Sequence, residues 1–406
     1  MTDGGEGDGR GGGAGGRADN GGMDAPGLPP EPVLPDFGGR CLTEVVPALL
    51  AQVLPVGLVA DGRREAPEWL PAPVRGARQV VLLVLDGLGA EQLAARATVA
   101  PVLVSGTGTP LTSVVPSTTA TALTSLSTGL PPAVHGTVGY RVAVGDEILN
   151  ILGWRVGTRD GRRAVPAPAF QPHPAFPGAS AVPVVSRADY APTGFTAAHL
   201  GDTVLHGWHT PAGIAVEIRQ LLERGEPFVY AYYDGIDRTA HARGLGDHYE
   251  AELRAVDRLI ADVLDVLPRG AALVVTADHG QVEVGNSVQV LGAELMDGVR
   301  MLSGEGRFRW LHTRVGAADD VAAAARARFG HLAWVRTLDE IVAEGWLGGE
   351  PSPAVRDRLG DVALVPHVAT AFLDPADPGE QRLVSRHGSL TSAEMMVPLL
   401  AWLSGT

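Results

Sequence analysis

The stretch Val114–Gly129, VVPSTTATALTSLSTG, concentrates hydroxyl groups and small side chains where a turn leads into a helix. Ala120, Ala122, Leu123 and Leu126 have helical spacing, and Pro116 and Ser117 read as the turn and cap, so Thr118 and Thr119 fall at a helix N-terminus. Unpaired backbone N–H groups at such a position favour an anion, and a phosphoryl group suits them. A threonine hydroxyl becomes a nucleophile only once its proton is removed, and a bound cation is one standard means. The single cysteine, Cys41, allows neither an intramolecular disulfide nor a thiolate cage, so a cation must rest on carboxylates and imidazoles.

Several residues could supply those ligands. Asp86-Gly87 directly follows the apolar run QVVLLVL; alone, such a pair commonly caps a turn. The same placement recurs at Asp278-His279 in VVTADHGQ, which sets a hard oxygen beside an imidazole at a second strand end. In DGIDRTAH, Asp237 and His241 are four apart and share one face of a helical turn, whereas Asp234 is seven from His241 and fits less simply. His387 sits in a tight turn, SRHG, before the apolar segment Met395–Leu403. Three carboxylates and three histidines form a set typical of zinc where cysteine is lacking. Two dications against three carboxylates would leave the site net positive, which suits an alkoxide and a phosphate.

The elements that must position these groups follow from the apolar pattern. Gln79–Leu85 is short, β-branched and apolar on both faces, as a central parallel strand is. Phe228–Tyr233 before Asp234, Ala271–Thr276 before Asp278 and a run over Ala181–Val185 repeat the pattern, and they alternate with helical segments such as Tyr249–Val266. This predicts an α/β fold, a doubly wound, mostly parallel sheet with helices on both faces, and a ligand site beyond the carboxyl ends of its strands. Cys41–Leu54 reads as an amphipathic helix and Ala90–Ala97 as another.

At 406 residues the chain can bury a large core in one elaborated domain, expected over 41–406. Residues 1–40, glycine-rich and then proline-rich, read as a disordered leader, within which Met23 could be the true start. Two stretches break the alternation, 141–178 and 282–385, and are expected to form cap insertions over the site; in the second, Asp319–Phe329 reads as a helix among loops. The net charge of −14 argues against wrapping a nucleic acid polymer or an anionic membrane. No signal peptide or transmembrane segment is evident, which makes a cytoplasmic location the expectation.

Five ordered blocks resemble the alkaline phosphatase superfamily, and within it the nucleotide pyrophosphatase/phosphodiesterase type. They are LVLDG (83–87), PSTTATALTSLSTGLPPAVHG (116–136), DRTAH (237–241), TADHG (276–280) and RHG (386–388). The resemblance implies a phosphoric ester hydrolase acting on a small-molecule phosphate ester or nucleotide. It implies one zinc on Asp86, Asp278 and His279, with Thr119 as nucleophile bound to it, and a second on Asp237, His241 and His387. Counting back from Thr128-Gly129 selects Thr119 over Thr118, to within one residue. His135 belongs to a turn that looks structural in the family. The chain departs from the family at Ala122, where the phosphodiesterases carry an asparagine that helps hold a nonbridging oxygen; losing one such donor costs about 10²-fold or more in rate. Ala122 keeps two alternatives open, a phosphomonoesterase of the same superfamily and a non-catalytic phosphate-ligand binding protein.

Overall fold

The computed structural model describes residues 1, 29–55 and 66–405; the glycine-rich part of the expected leader lies outside the described residues. Six strands form the central sheet: β1 (Gln79–Leu85), β2 (Pro183–Arg187), β3 (Val204–Trp208), β4 (Phe228–Tyr233), β5 (Ala271–Thr276) and β6 (Leu399–Leu403). Their order is β6-β5-β1-β4-β2-β3, parallel throughout except for the antiparallel edge strand β6. Nearly every residue of β1, β4 and β5 is buried, so both faces of these strands are covered and no inward-outward alternation is needed. Helices Ala212–Glu223 and Asp247–Val266 pack together, as do Leu42–Val53 and Thr119–Thr128. Among the described residues, no helix is long and apolar enough to cross a membrane.

Register decides where the site lies. Leu85 stands opposite Tyr233 and Val84 opposite Thr276, so the carboxyl ends of β1, β4 and β5 finish level with one another. The acidic residues that follow each strand are thereby delivered to one edge of the sheet.

Helix Thr119–Thr128 is buried along its whole length although six of its ten side chains carry hydroxyls. It tolerates this because Thr124 and Thr128 donate to the carbonyls of Ala120 and Thr124 at 2.7 Å, and Ser127 donates to His199 O. Gly129 ends it with φ 70°, the left-handed conformation that a helix stop requires. Thr118 is the residue flanking its start, one beyond the expected cap at Ser117, and makes no side-chain capping bond.

His135 holds this helix from the side. Its Nδ1 accepts from Thr137 N, so its Nε2 donates to Ser125 Oγ at 2.8 Å. Burial, then the charges of His173 and Arg358, lowers its pKa from 6.5 to about 3, and burial lowers that of His199 to about 4. Both rings are neutral when folded and bind protons near 6.5 when unfolded, so between about pH 6.5 and 4 the unfolded chain holds more protons. Stability is therefore expected to fall as pH drops through that window. Urea unfolding at pH 7.5, 6.5 and 5 checks this, with the slope flattened in His135→Gln.

Two expectations need correction. Residues 29–40 are not a loose leader: Val33 N donates to Leu390 O, Asp36 N to Thr112 Oγ1, and Trp334 Nε1 to Pro30 O, which straps the segment to the body. The stretch 282–385 is not one helix among loops. Beside helix Ala318–Phe329 it holds a four-stranded antiparallel sheet of Val299–Glu305, Phe308–Thr313, Val362–Pro366 and Ala333–Thr337, with a hydrophobic core of its own. The stretch 141–178 likewise holds a small antiparallel sheet over 141–160.

Candidate active site

Five segments converge at the carboxyl ends of β1, β4 and β5. Asp86 and Asp278-His279 follow β1 and β5 directly, and Asp237 and His241 lie one turn apart on helix Gly235–Arg243, which follows β4. A bridge between Ser117 and Gly388 brings the His387 turn to the start of the Thr119 helix. Thr119 Oγ1 is 3.1 Å from His279 Nε2, which is 3.4 Å from Asp86 Oδ1 and 3.3 Å from Asp278 Oδ2. Asp237 Oδ1 lies 3.3 Å from His241 Nε2 and 3.7 Å from His387 Nε2.

All seven expected site residues thus share one cluster, in two overlapping groups. Ligand atoms of Asp86, Asp278 and His279 lie within 4.8 Å of one another, and so do those of Asp237, His279 and His387. His241 stands beside the second group, next to Asp237 and with its ring centroid 5.1 Å from that of His387. Asp234 stands apart: its Oδ2 accepts from Tyr190 OH at 2.6 Å, and Arg187 and Arg238 lie within 4 Å of its carboxylate.

The hydrogen bonds orient the donor atoms inward. Nδ1 of His279, His387 and His241 each donates to a backbone carbonyl, of Gly280, Ser117 and Ser385 respectively, which leaves every Nε2 unprotonated, that of His279 accepting from the Thr119 hydroxyl. Asp278 Oδ1 accepts from the backbone N–H of Gly87 and His279, while Asp86 Oδ2 accepts from Tyr232 OH. The other oxygens, Asp86 Oδ1 and Asp278 Oδ2, are buried without any partner. Burial, then the charges of Asp278 and Asp237, pushes the Asp86 carboxyl well above its ordinary range. Burial and the neighbouring His279 and His241 push His387 well below. A buried acid unwilling to ionise, the His387 imidazole unwilling to protonate and orphaned oxygens facing one another are what a cation resolves, so the residues fit a metal.

Tyr232 and Gln281 escaped the sequence reading, and Arg386 entered it only as the flank of His387. Gln281 Nε2 donates to Asp237 Oδ1 at 2.6 Å and steadies it. The tyrosines at alternate positions of β4 were the available signal, since a buried phenol needs a partner.

Two cavities, of about 340 and 330 Å³, meet at Thr119, Leu152 and Asp237, which line both. Leu123, Tyr190, Phe195 and Tyr232 help line the first. The second is walled by His387, Arg386 and residues next to or within the stretches 141–178 and 282–385, among them Tyr140, Glu305 and Glu380.

The sequence model of type I phosphodiesterase / nucleotide pyrophosphatase matches residues 80–390. The chain belongs to this family. Members are metal-dependent phosphoric ester hydrolases, and this chain is one. Among solved structures it is similar to human ectonucleotide pyrophosphatase / phosphodiesterase 5, with 15% identity, a TM-score of 0.60, and coverage of 80% of this chain and 87% of that one. The murine protein gives 16% identity, a TM-score of 0.59 and the same coverage. Phosphonoacetate hydrolase from Sinorhizobium meliloti 1021 gives 21% identity and a TM-score of 0.57, over 84% of this chain and 92% of its own. These likenesses establish the fold that the family shares, an α/β fold with a mostly parallel central sheet. Among curated proteins none matches the chain by sequence.

Proposed function

We propose that this chain hydrolyses small phosphodiesters, with Thr119 as the nucleophile and two divalent cations, zinc by ligand type. Asp86, Asp278, His279 and Thr119 would hold one cation, and Asp237, His241 and His387 the other. The observation that carries the diester reading is the pair of cavities that both reach Thr119. A monoester needs room for one organic group, whereas a diester needs room for two. The aromatic and aliphatic lining of the first cavity suits an aryl or nucleoside group, and an inactive variant of the murine relative is known in complex with AMP.

In this reading the first amides of helix Thr119–Thr128, which have no helical acceptor, face the phosphoryl oxygens. Bound dications would lower the pKa of the hydroxyl and of water and offset the charge that develops on the two apical oxygens. Thr119 Oγ1 forms a bond to phosphorus as the bond to the leaving oxygen breaks in line with it. Water then opens the phosphothreonine and restores the hydroxyl. Tyr232, kept protonated by burial, and Gln281 hold Asp86 and Asp237 in place throughout.

Purified protein tested with bis(4-nitrophenyl) phosphate and 4-nitrophenyl phosphate, with and without a chelator, decides the matter. Faster cleavage of the diester, abolished by the chelator, is the expected result. A preference for the monoester would overturn the diester reading, and no cleavage of either by metal-loaded protein would favour a binding role.

A further inference from the structure

One side chain in the second cavity contradicts its surroundings. Arg307, Arg309 and Arg386 form a buried cluster. Arg307 makes a bidentate bond to Glu394 and also donates to Val368 O and Thr370 O. Arg309 donates to Glu380 Oε2, Phe372 O, Ser303 O and Gly304 O. Arg386, 2% exposed, has no hydrogen-bond partner at Nε, Nη1 or Nη2. Its nearest acid is Glu380, whose Oε1 is 3.7 Å from Nη1 and whose other oxygen already serves Arg309.

A guanidinium with no acceptor is among the costliest groups to bury, and arginine does not escape by losing its proton at neutral pH. Burial lowers its pKa, against the opposing pull of Glu380, which reflects that cost. The cluster as a whole leans positive. Glu380 and Glu394 are matched by Arg309 and Arg307, and Glu305, on the same cavity wall, is pushed by burial to about 8 and is mostly neutral at pH 7. Gly306 lets the backbone pass close to this pair, since a Cβ there would stand 2.4 Å from Glu380 Oε1 and 3.1 Å from Arg386 Nη1.

We infer that Arg386 recognises an oxyanion substituent, a carboxylate or a further phosphate, on the substrate group that occupies the cavity on the His387 side of Thr119. This rests on the diesterase reading and narrows it: one group is aryl or nucleoside, and the other carries negative charge. The planar fork of arginine matches such an oxyanion in two parallel hydrogen bonds. The competing assignment is purely structural, with Arg386 serving only as a loose partner of Glu380.

Calorimetry on full-length, zinc-loaded Thr119→Ala protein, with diphenyl phosphate and 4-carboxyphenyl phenyl phosphate, separates the two. The carboxylated diester is expected to bind about 10- to 100-fold more tightly, the range of a hydrogen-bonded charge. Arg386→Gln should bring that ratio to near one, and Arg386→Lys should leave it in between. A ratio near one with Arg386 present, or a ratio that survives Arg386→Gln in a folded protein, would overturn the inference. If the glutamine variant does not fold, an undiminished ratio in the lysine variant overturns it instead. Turnover of bis(4-nitrophenyl) phosphate by the unaltered enzyme reports on the diesterase reading separately, so the two can fail independently.

Discussion

Thr119→Ala is expected to reduce turnover of an aryl phosphodiester by about 10⁴-fold or more, the scale seen when a covalent nucleophile is removed. The bound metal should stay near its original content, because the carboxylates and imidazoles around it are untouched. Alanine is a good helix former, and Thr119 is the first residue of its helix, so the fold should survive. Thr118→Ala is the matched control. The Thr118 hydroxyl makes no capping bond and lines the second cavity beside Thr119, so its loss should change the rate by less than about tenfold. Steady-state kinetics with metal analysis on both variants checks the pair. Full activity in Thr119→Ala, or a collapse confined to Thr118→Ala, would move the nucleophile away from Thr119.

The parts of the fold legible in the sequence are those where one physical demand acts alone. Gln79–Leu85, Phe228–Tyr233 and Ala271–Thr276 are strands to the residue because covered faces demand continuous apolar runs. The sheet over 299–366 was hidden by its own chemistry. Arg307 and Arg309 lie beside and in the strand Phe308–Thr313, and their burial depends on Glu394 and Glu380, far along the chain, which neutralise them. The strap at 29–40 is held by hydrogen bonds from backbone and to backbone, which leave no trace in side-chain pattern. At the site, the acids and histidines were legible because strand ends and one helical turn bring them together. Tyr232 and Gln281 were not, because their use depends on register: Tyr232 lies opposite Val84, two residues before Asp86. Arg386 was read only as the flank of a histidine, and its unpaired state exists only in three dimensions.

Asp237→Asn and His387→Ala are each expected to lower bound zinc from about two per chain toward one, with activity falling by about 10³-fold. Among the described residues, Asp237 supplies the only carboxylate within 4 Å of the His241 and His387 rings, so the amide leaves two imidazoles without a charge to balance a dication. Gln281 would still reach the substituted side chain, which keeps the backbone in place while the ligand is lost. The group of Asp86, Asp278 and His279 is untouched by either change and should retain its ion. Asp86→Asn should empty that other group while sparing the one around Asp237, and the double variant Asp86→Asn, Asp237→Asn should hold close to none. Metal content by mass spectrometry on the four proteins therefore counts the ions and assigns each to its ligands. Because His279 lies within 4.8 Å of both groups, a single ion shared between them would show instead as complete loss in every single variant, and that result would replace the two-metal reading with a one-metal site.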